Sequence, residues 1–158
     1  MNKTIAKPFI KWVGGKTQLL EEVKKSLPSD IHTRNELTYI EPFVGGGAVL
    51  FWILQTYPNI KRAIINDINA ELICTYRVIQ NNVEDLICLL ARIQEQYISL
   101  NTEERKEYFL EKRKLFNSKK CSDVETAALF IFLNRTCFNG LYRVNSKGEF
   151  NVPHGKYA

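Results

Sequence analysis

Apolar positions fall into two regimes along the chain. From Thr17 to Leu27 they recur at helical spacing (Leu19, Leu20, Val23, Leu27) and stop at Pro28, which predicts a helix ending there. Leu37 to Pro42 is a short, mostly apolar run leading into Gly45, Gly46 and Gly47, after which Val49, Leu50, Ile53, Leu54 and Tyr57 return to the helical period. That order predicts a strand, a glycine turn and a helix. Arg62 to Asn66 predicts a second, buried strand, and Leu72, Ile73, Tyr76 and Ile79 the helix after it. Two strands each followed by a helix predict a parallel sheet, because parallel neighbours need such crossovers. Beyond Asn82 the pattern turns helical, first through Val83, Leu86, Leu90, Ile93 and Tyr97. A second helix pairs Tyr108 with Leu115 and Phe109 with Phe116, and a third runs from Val124 to Leu133. Leu141 to Val144 and Glu149 to Val152, joined across residues 145–148, predict a closing β-hairpin. The fold class is therefore α/β for residues 1–82, followed over 83–158 by a mainly helical region ending in that hairpin.

With 45% hydrophobic and 25% charged residues the 158-residue chain is expected to fold rather than stay disordered. No apolar run exceeds the seven residues of Ala127 to Leu133, and a bilayer span needs about 20, so no membrane contact is expected. Lys3, Lys7 and Lys11 break up any signal-like core, which makes the cytoplasm the expected location. The cysteines at 74, 88, 121 and 137 form no C-x-x-C pair and the only histidines are His32 and His154, so neither a metal site nor a disulfide framework is expected. Cys74 and Cys88 lie in apolar helical rows and are expected to be small buried hydrophobes.

The net charge of +5 is unevenly spread. Residues 1–26 hold six Lys against two Glu, residues 27–100 five basic against eight acidic, and residues 101–158 eleven basic against seven acidic. Basic flanks suit a phosphate backbone, while the acidic middle suits a neutral or cationic ligand. From Glu103 to Lys114, however, opposite charges alternate as on a solvated helix face.

The glycine turn follows G-x-G-x-x-L, with Leu50 where a dinucleotide fingerprint wants its third glycine. Glu41, just before it, disfavours a phosphate. Asp67, twenty residues after Gly47 at the end of the second strand, is placed to hold ribose hydroxyls or to cap the next helix. A nucleoside with a cationic, phosphate-free tail fits best. Gly14, Gly15, Lys16 and Thr17 invite a P-loop reading, but Ile10 stands where that motif needs its first glycine.

These residues resemble a family. Lys11 to Lys16 (KWVGGK), Glu41 to Gly47 (EPFVGGG), Asn66 to Asn69 (NDIN), Phe138 to Arg143 (FNGLYR) and Gly148 to Pro153 (GEFNVP) are similar, nearly end to end, to elements of Dam-type adenine-N6 DNA methyltransferases. The resemblance implies a partial Rossmann-like sheet binding S-adenosylmethionine, with a helical DNA-recognition insert ending in the hairpin. It places Trp12, Gly14, Gly15 and Lys16 at the border of the cofactor site. Glu41, Pro42, Phe43, Gly45 and Gly47 would lie on its methionine side, and Asp67 and Ile68 at the ribose. Carboxylates and aromatic faces suit a sulfonium and an ammonium.

For double-stranded DNA, the resemblance implies Lys11, Phe138, Asn139, Leu141, Arg143 and Pro153, in a site that is commonly GATC. Arg143 offers a fork to guanine O6 and N7, Leu141 and Pro153 apolar contact to a thymine methyl, and Phe138 a wedge that helps adenine leave the stack. Arg135, Lys147 and Lys156 are expected on phosphates.

The family's Asp-Pro-Pro-Tyr motif, which accepts the hydrogens of the adenine amine, occurs nowhere in the 158 residues, so no catalytic residue is assigned. The chain is expected to be the N-terminal part of such an enzyme, inactive alone. The strand at Leu37 to Pro42 is then left as an edge that pairs with the missing portion or with another copy. Two other classes stay open, a DNA- or cofactor-binding module without catalysis and a P-loop nucleotide triphosphatase.

Overall fold

A computed structural model describes residues 5–155, which leaves Lys156 outside the described residues. The chain divides after Ile68 into two compact units.

The first unit begins with a 3-10 turn, Lys16–Leu19, continuing into α1, Leu20–Ser26. Leu27 is already extended (φ −74°, ψ 151°), as a residue before proline prefers. Strands β1, Leu37–Glu41, and β2, Ile60–Ile65, pair in parallel, with Ile40 opposite Ile64 and Glu41 opposite Ile65. The helix between them, α2, spans Ala48–Thr56 and leaves from Gly47 at φ +83°, a left-handed conformation that suits glycine. Ile31, Ile53 and Tyr57 form the core under one sheet face, with Leu27, Leu37, Tyr39, Trp52 and Ile60 packed around them. Nothing among the described residues of this unit covers the opposite face, where Ile40 is 62% and Ile64 40% exposed. The strand expected to be buried is therefore bare along most of its length. Its apolar run is that of a strand covered on both faces, but α2 packs on only one.

The second unit holds α3 (Ala70–Asn81), α4 (Val83–Ile98), α5 (Thr102–Asn117) and α6 (Asp123–Thr136). The starts of α3, α5 and α6 each have a local cause. Asn69 accepts from the Leu72 N–H, while Asn101 with Glu104 and Ser122 with Glu125 form capping boxes. The apolar run Ala127 to Leu133 is explained by position, because α6 is the central helix and buries Ala127, Ala128, Leu129, Phe130, Phe132 and Leu133. α3 packs mainly on α6, so the compact boundary falls after Ile68 rather than after Asn82.

The expected hairpin is reduced to antiparallel bridges at Val144–Phe150 and Cys137–His154. Its turn forms, closed by Gly148 N–H to the Asn145 carbonyl (2.9 Å) and Asn145 N–H to the Glu149 carbonyl (2.9 Å). On the outer edge of its second segment, facing away from Val144, α5 stands where a further strand would. The Asn117 side chain donates to the Phe150 carbonyl and accepts from its N–H, and Arg113 donates to the Val152 carbonyl. Of the cysteines expected to be buried, Cys74 is partly covered and Cys88 is exposed, since its turn of α4 faces solvent. Among the described residues no helix is long and apolar enough to cross a membrane.

Candidate functional site

In the first unit, the parallel ladder continues past the strands. Asn66 N–H donates to the Glu41 carbonyl and Val44 N–H to the Asn66 carbonyl, both at 2.9 Å. This sets Asp67 against the glycine turn, where its Oδ2 accepts the Gly45 N–H at 3.0 Å. The Asp67 carboxylate is thereby aimed by the turn itself.

The segment before the first helix lies over that turn. A Cβ on Gly45 would sit 2.9 Å from Trp12 Cδ1, and one on Gly46 3.3 Å from Trp12 Cβ. The close approach that these glycines allow is thus first of all an approach of the indole. Lys16 Nζ donates to the Phe43 carbonyl at 2.8 Å, and Gly15 N–H closes a turn on the Trp12 carbonyl.

These residues enclose a cavity of about 410 Å³, within the range of small-ligand sites. Of the residues expected at the cofactor, Trp12, Gly14, Gly15, Lys16, Phe43, Gly45 and Asp67 line it. Lys11, expected on DNA, lines it as well. Glu41, Pro42, Gly47 and Ile68 do not. Glu41 is buried beneath the turn and accepts from the Tyr39 hydroxyl at 2.8 Å, Gly47 serves the start of α2, and Pro42 and Ile68 are exposed. Burial pushes the Glu41 carboxyl above its ordinary range, outweighing the Tyr39 bond and the Lys16 charge, and burial with the Glu41 bond pushes the Tyr39 phenol up too. Pro8, Ile10, Val13, Thr17, Val44, Gly46, Ala48 and Val49 complete the lining. Sequence reasoning gave Pro8, Ile10, Ala48 and Val49 no place in the site, although Pro8 and Ile10 directly precede Trp12, whereas Val13, Val44 and Gly46 stand in the motifs that carry the resemblance.

An aromatic lid, an aimed carboxylate and a buried acid below suit a ligand with cationic and sugar-like parts. S-adenosylmethionine is such a ligand, and the donor set fits it.

In the second unit, α6 ends in a tight turn, Phe138–Gly140, where Asn139 (φ +55°) and Gly140 (φ +64°) are both left-handed. Buried Asn134 pins it by donating to the Gly140 carbonyl at 2.9 Å, and Phe138 N–H donates to the Pro153 carbonyl at 2.9 Å. Phe138 is left 46% exposed. Leu141 is partly covered, whereas Arg135, Lys147 and Pro153 are exposed. Arg143 is held by Asn151, Nε to Oδ1 at 2.8 Å, while Asn151 N–H donates to the Arg143 carbonyl. The turn thus brings Phe138 and Pro153 together and fixes Arg143 beside Asn151.

Nearby, His154 shares a 2.7 Å hydrogen bond with the Tyr97 hydroxyl. Burial, reinforced by Lys106 and Arg105, holds its pKa below the usual 6.5. Tyr142 bonds Glu71, and burial pushes its phenol up to about 12. Asn134 was not foreseen from the sequence, and Asn151, though part of the Gly148 to Pro153 motif, was given no role. The available signal was a polar residue directly after the apolar run of α6.

Comparison with known proteins gives a consistent result. Residues 12–158 match the D12 class N6 adenine-specific DNA methyltransferase family. The chain is 52% identical over 153 residues to a Type II methyltransferase, M.MjaIII, of Methanocaldococcus jannaschii, covering 96% of this chain and 53% of that protein. It is 39% identical over 153 residues to the DNA adenine methylase of Haemophilus influenzae, covering 96% and 48%. With the DNA N-6-adenine-methyltransferase of Escherichia phage P1 it shares 42% over 149 residues, 94% of this chain and 18% of that one. The chain therefore spans about half the length of the first two.

Proposed function

The chain belongs to the D12 class N6 adenine-specific DNA methyltransferase family, and from that membership we propose that it forms the donor-binding and DNA-recognising part of an enzyme that methylates adenine N6 in duplex DNA at GATC. The observation that carries this reading is the convergence of Trp12, Gly45 and Asp67 on one cavity. S-adenosylmethionine, when bound, supplies the methyl group on its sulfonium. Asp67 holds the ribose hydroxyls, Trp12 and Phe43 flank the flat and cationic parts, and Glu41 acts from beneath the turn as a field rather than a contact. The first unit is then the near part of a Rossmann-like sheet.

In the second unit, Arg143 reads a guanine with its orientation set by Asn151, while Phe138 wedges into the stack and Leu141 and Pro153 meet a thymine methyl. Asn139 keeps the turn in place beside them. Arg135, Lys147 and Lys156 contact phosphates. Lys11, which lines the donor cavity, is assigned there rather than to DNA. With no Asp-Pro-Pro-Tyr motif in the chain and about half the length of its relatives, transfer requires a second segment carrying that motif.

The test supplies labelled S-adenosylmethionine and a GATC duplex to the chain, with and without the remaining half of a relative. Label entering adenine only when both are present supports the reading. DNA binding that never becomes transfer indicates a binding module instead, and ATP hydrolysis lost with Lys16→Ala indicates a triphosphatase. In the complemented enzyme, Arg143→Ala costs roughly 1 to 3 kcal/mol and relaxes choice at one guanine, whereas Lys147→Ala weakens every sequence alike. Equal losses on all sequences for both variants refute base reading by Arg143.

A further inference from the structure

Gln55, on the last turn of α2, spends all the polar capacity of its side chain on one task. Its Oε1 accepts the Ala6 N–H at 2.8 Å, and its Nε2 donates to the Ala6 carbonyl at 3.1 Å and to the Phe51 carbonyl of its own helix at 2.6 Å. The amide therefore grips both backbone groups of one residue as a neighbouring strand would, and it is anchored to α2 while doing so. In an extended segment the N–H and C=O of the next residue point the other way, so a slip of one residue breaks both bonds to the amide.

The same segment lines the cavity from Pro8, two residues on, to Trp12. Phe9 meets Phe51 edge to face with centroids 6.5 Å apart, Ile10 is 4% exposed, and Trp12 lies over Gly45 with no room for a methyl group between them. A slip of one residue in an extended segment is a shift of about 3.3 Å, more than enough to lift the indole off the turn.

We propose that Gln55 is a positioning residue for the donor pocket, setting the register of residues 6–12 on α2 and thereby the place of Trp12. The proposal rests on the cofactor reading above only for its affinity arm. Gln55 contacts no ligand-lining atom of the cavity formed by Trp12, Gly45 and Asp67 and acts entirely through the segment it holds.

The chain has two tryptophans, so Trp52→Phe leaves Trp12 as the sole reporter. In that background Gln55→Ala and the similarly sized Gln55→Met are expected to red-shift Trp12 emission and raise its quenching by acrylamide. Far-ultraviolet circular dichroism should stay that of the parent, showing that α2 and the rest of the fold persist. S-adenosylmethionine should bind about thirtyfold more weakly, the scale of two lost hydrogen bonds. An unmoved Trp12 signal overturns the proposal, and so does a moved signal with unchanged affinity. If the parent chain binds no S-adenosylmethionine, the cofactor reading fails instead, and the Trp12 signal alone decides whether Gln55 sets the register.

Discussion

Replacing Gly45 by alanine separates what the glycine turn does for the chain from what it does for a ligand. At φ +52° an alanine carries the left-handed penalty of about 1–2 kcal/mol. Its methyl also arrives 2.9 Å from Trp12 Cδ1 and 3.3 Å from Nε1, so the indole has to move, and overpacking of that kind costs about 1–3 kcal/mol. Gly14 is the internal control, since at φ +75° it has nothing within 4 Å of its missing methyl. Gly14→Ala should therefore lose only the backbone part, about 1–2 kcal/mol, and Gly45→Ala about 2–5 kcal/mol. Urea denaturation of both variants measures the difference. Repeating Gly45→Ala in a Trp12→Ala background should bring its cost down to that of Gly14→Ala, because the two residues are coupled through one contact. Equal losses at positions 14 and 45, or a loss at 45 that survives removal of the indole, would refute the account of the glycine turn as a seat for Trp12.

Two further predictions concern pH. Glu41 is held above its ordinary value of 4.5, chiefly by burial, so its favourable contribution is complete in acid and disappears as pH rises through the raised value. Glu41→Gln, which still accepts the Tyr39 hydroxyl, should raise the urea midpoint at pH 7, with the gain vanishing below pH 4.5. A midpoint unchanged or lowered at pH 7 counts against the burial argument. His154 is held below 6.5 by burial first and by Lys106 and Arg105 next, so its contribution is present above pH 6.5 and is lost as pH falls through the lowered value. His154→Gln should flatten the fall in urea midpoint between about pH 7.5 and pH 5, and an identical slope in both proteins would remove His154 as its cause.

Local signals carried most of the elements into the sequence. Pro28 stops α1, the glycines separate β1 from α2, and the periods of α4, α5 and α6 are read directly from their apolar residues. What failed to show depends on partners distant in sequence. The Asn117 side chain bonding the backbone of Phe150, 33 residues away, ties the outer edge of the expected hairpin to α5. Packing of α3 on α6 moves the boundary between units to Ile68, ahead of the helix that local reasoning grouped with the sheet.

The candidate pocket was legible as a set of motifs, and the cavity does gather Trp12, Lys16, Phe43, Gly45 and Asp67. Its internal logic was not legible. Composition and spacing suggested glycines bare for a ligand, whereas the atoms against Gly45 and Gly46 belong to a tryptophan some thirty residues earlier. Glu41 and Ile68 illustrate the same limit, being adjacent in motif to lining residues but directed elsewhere by the pleat and by the turn.

The two-strand sheet bears on how the protein is handled and made. Isoleucines 40 and 64 sit side by side and exposed, next to a row of backbone amides and carbonyls that no third strand among the described residues engages. A polypeptide that pairs along that edge should be retained there, and in a concentrated preparation a sister molecule is expected to arrive first. Yield should then depend on dilution and on timing, with a complementary half synthesised alongside outcompeting one mixed in afterwards.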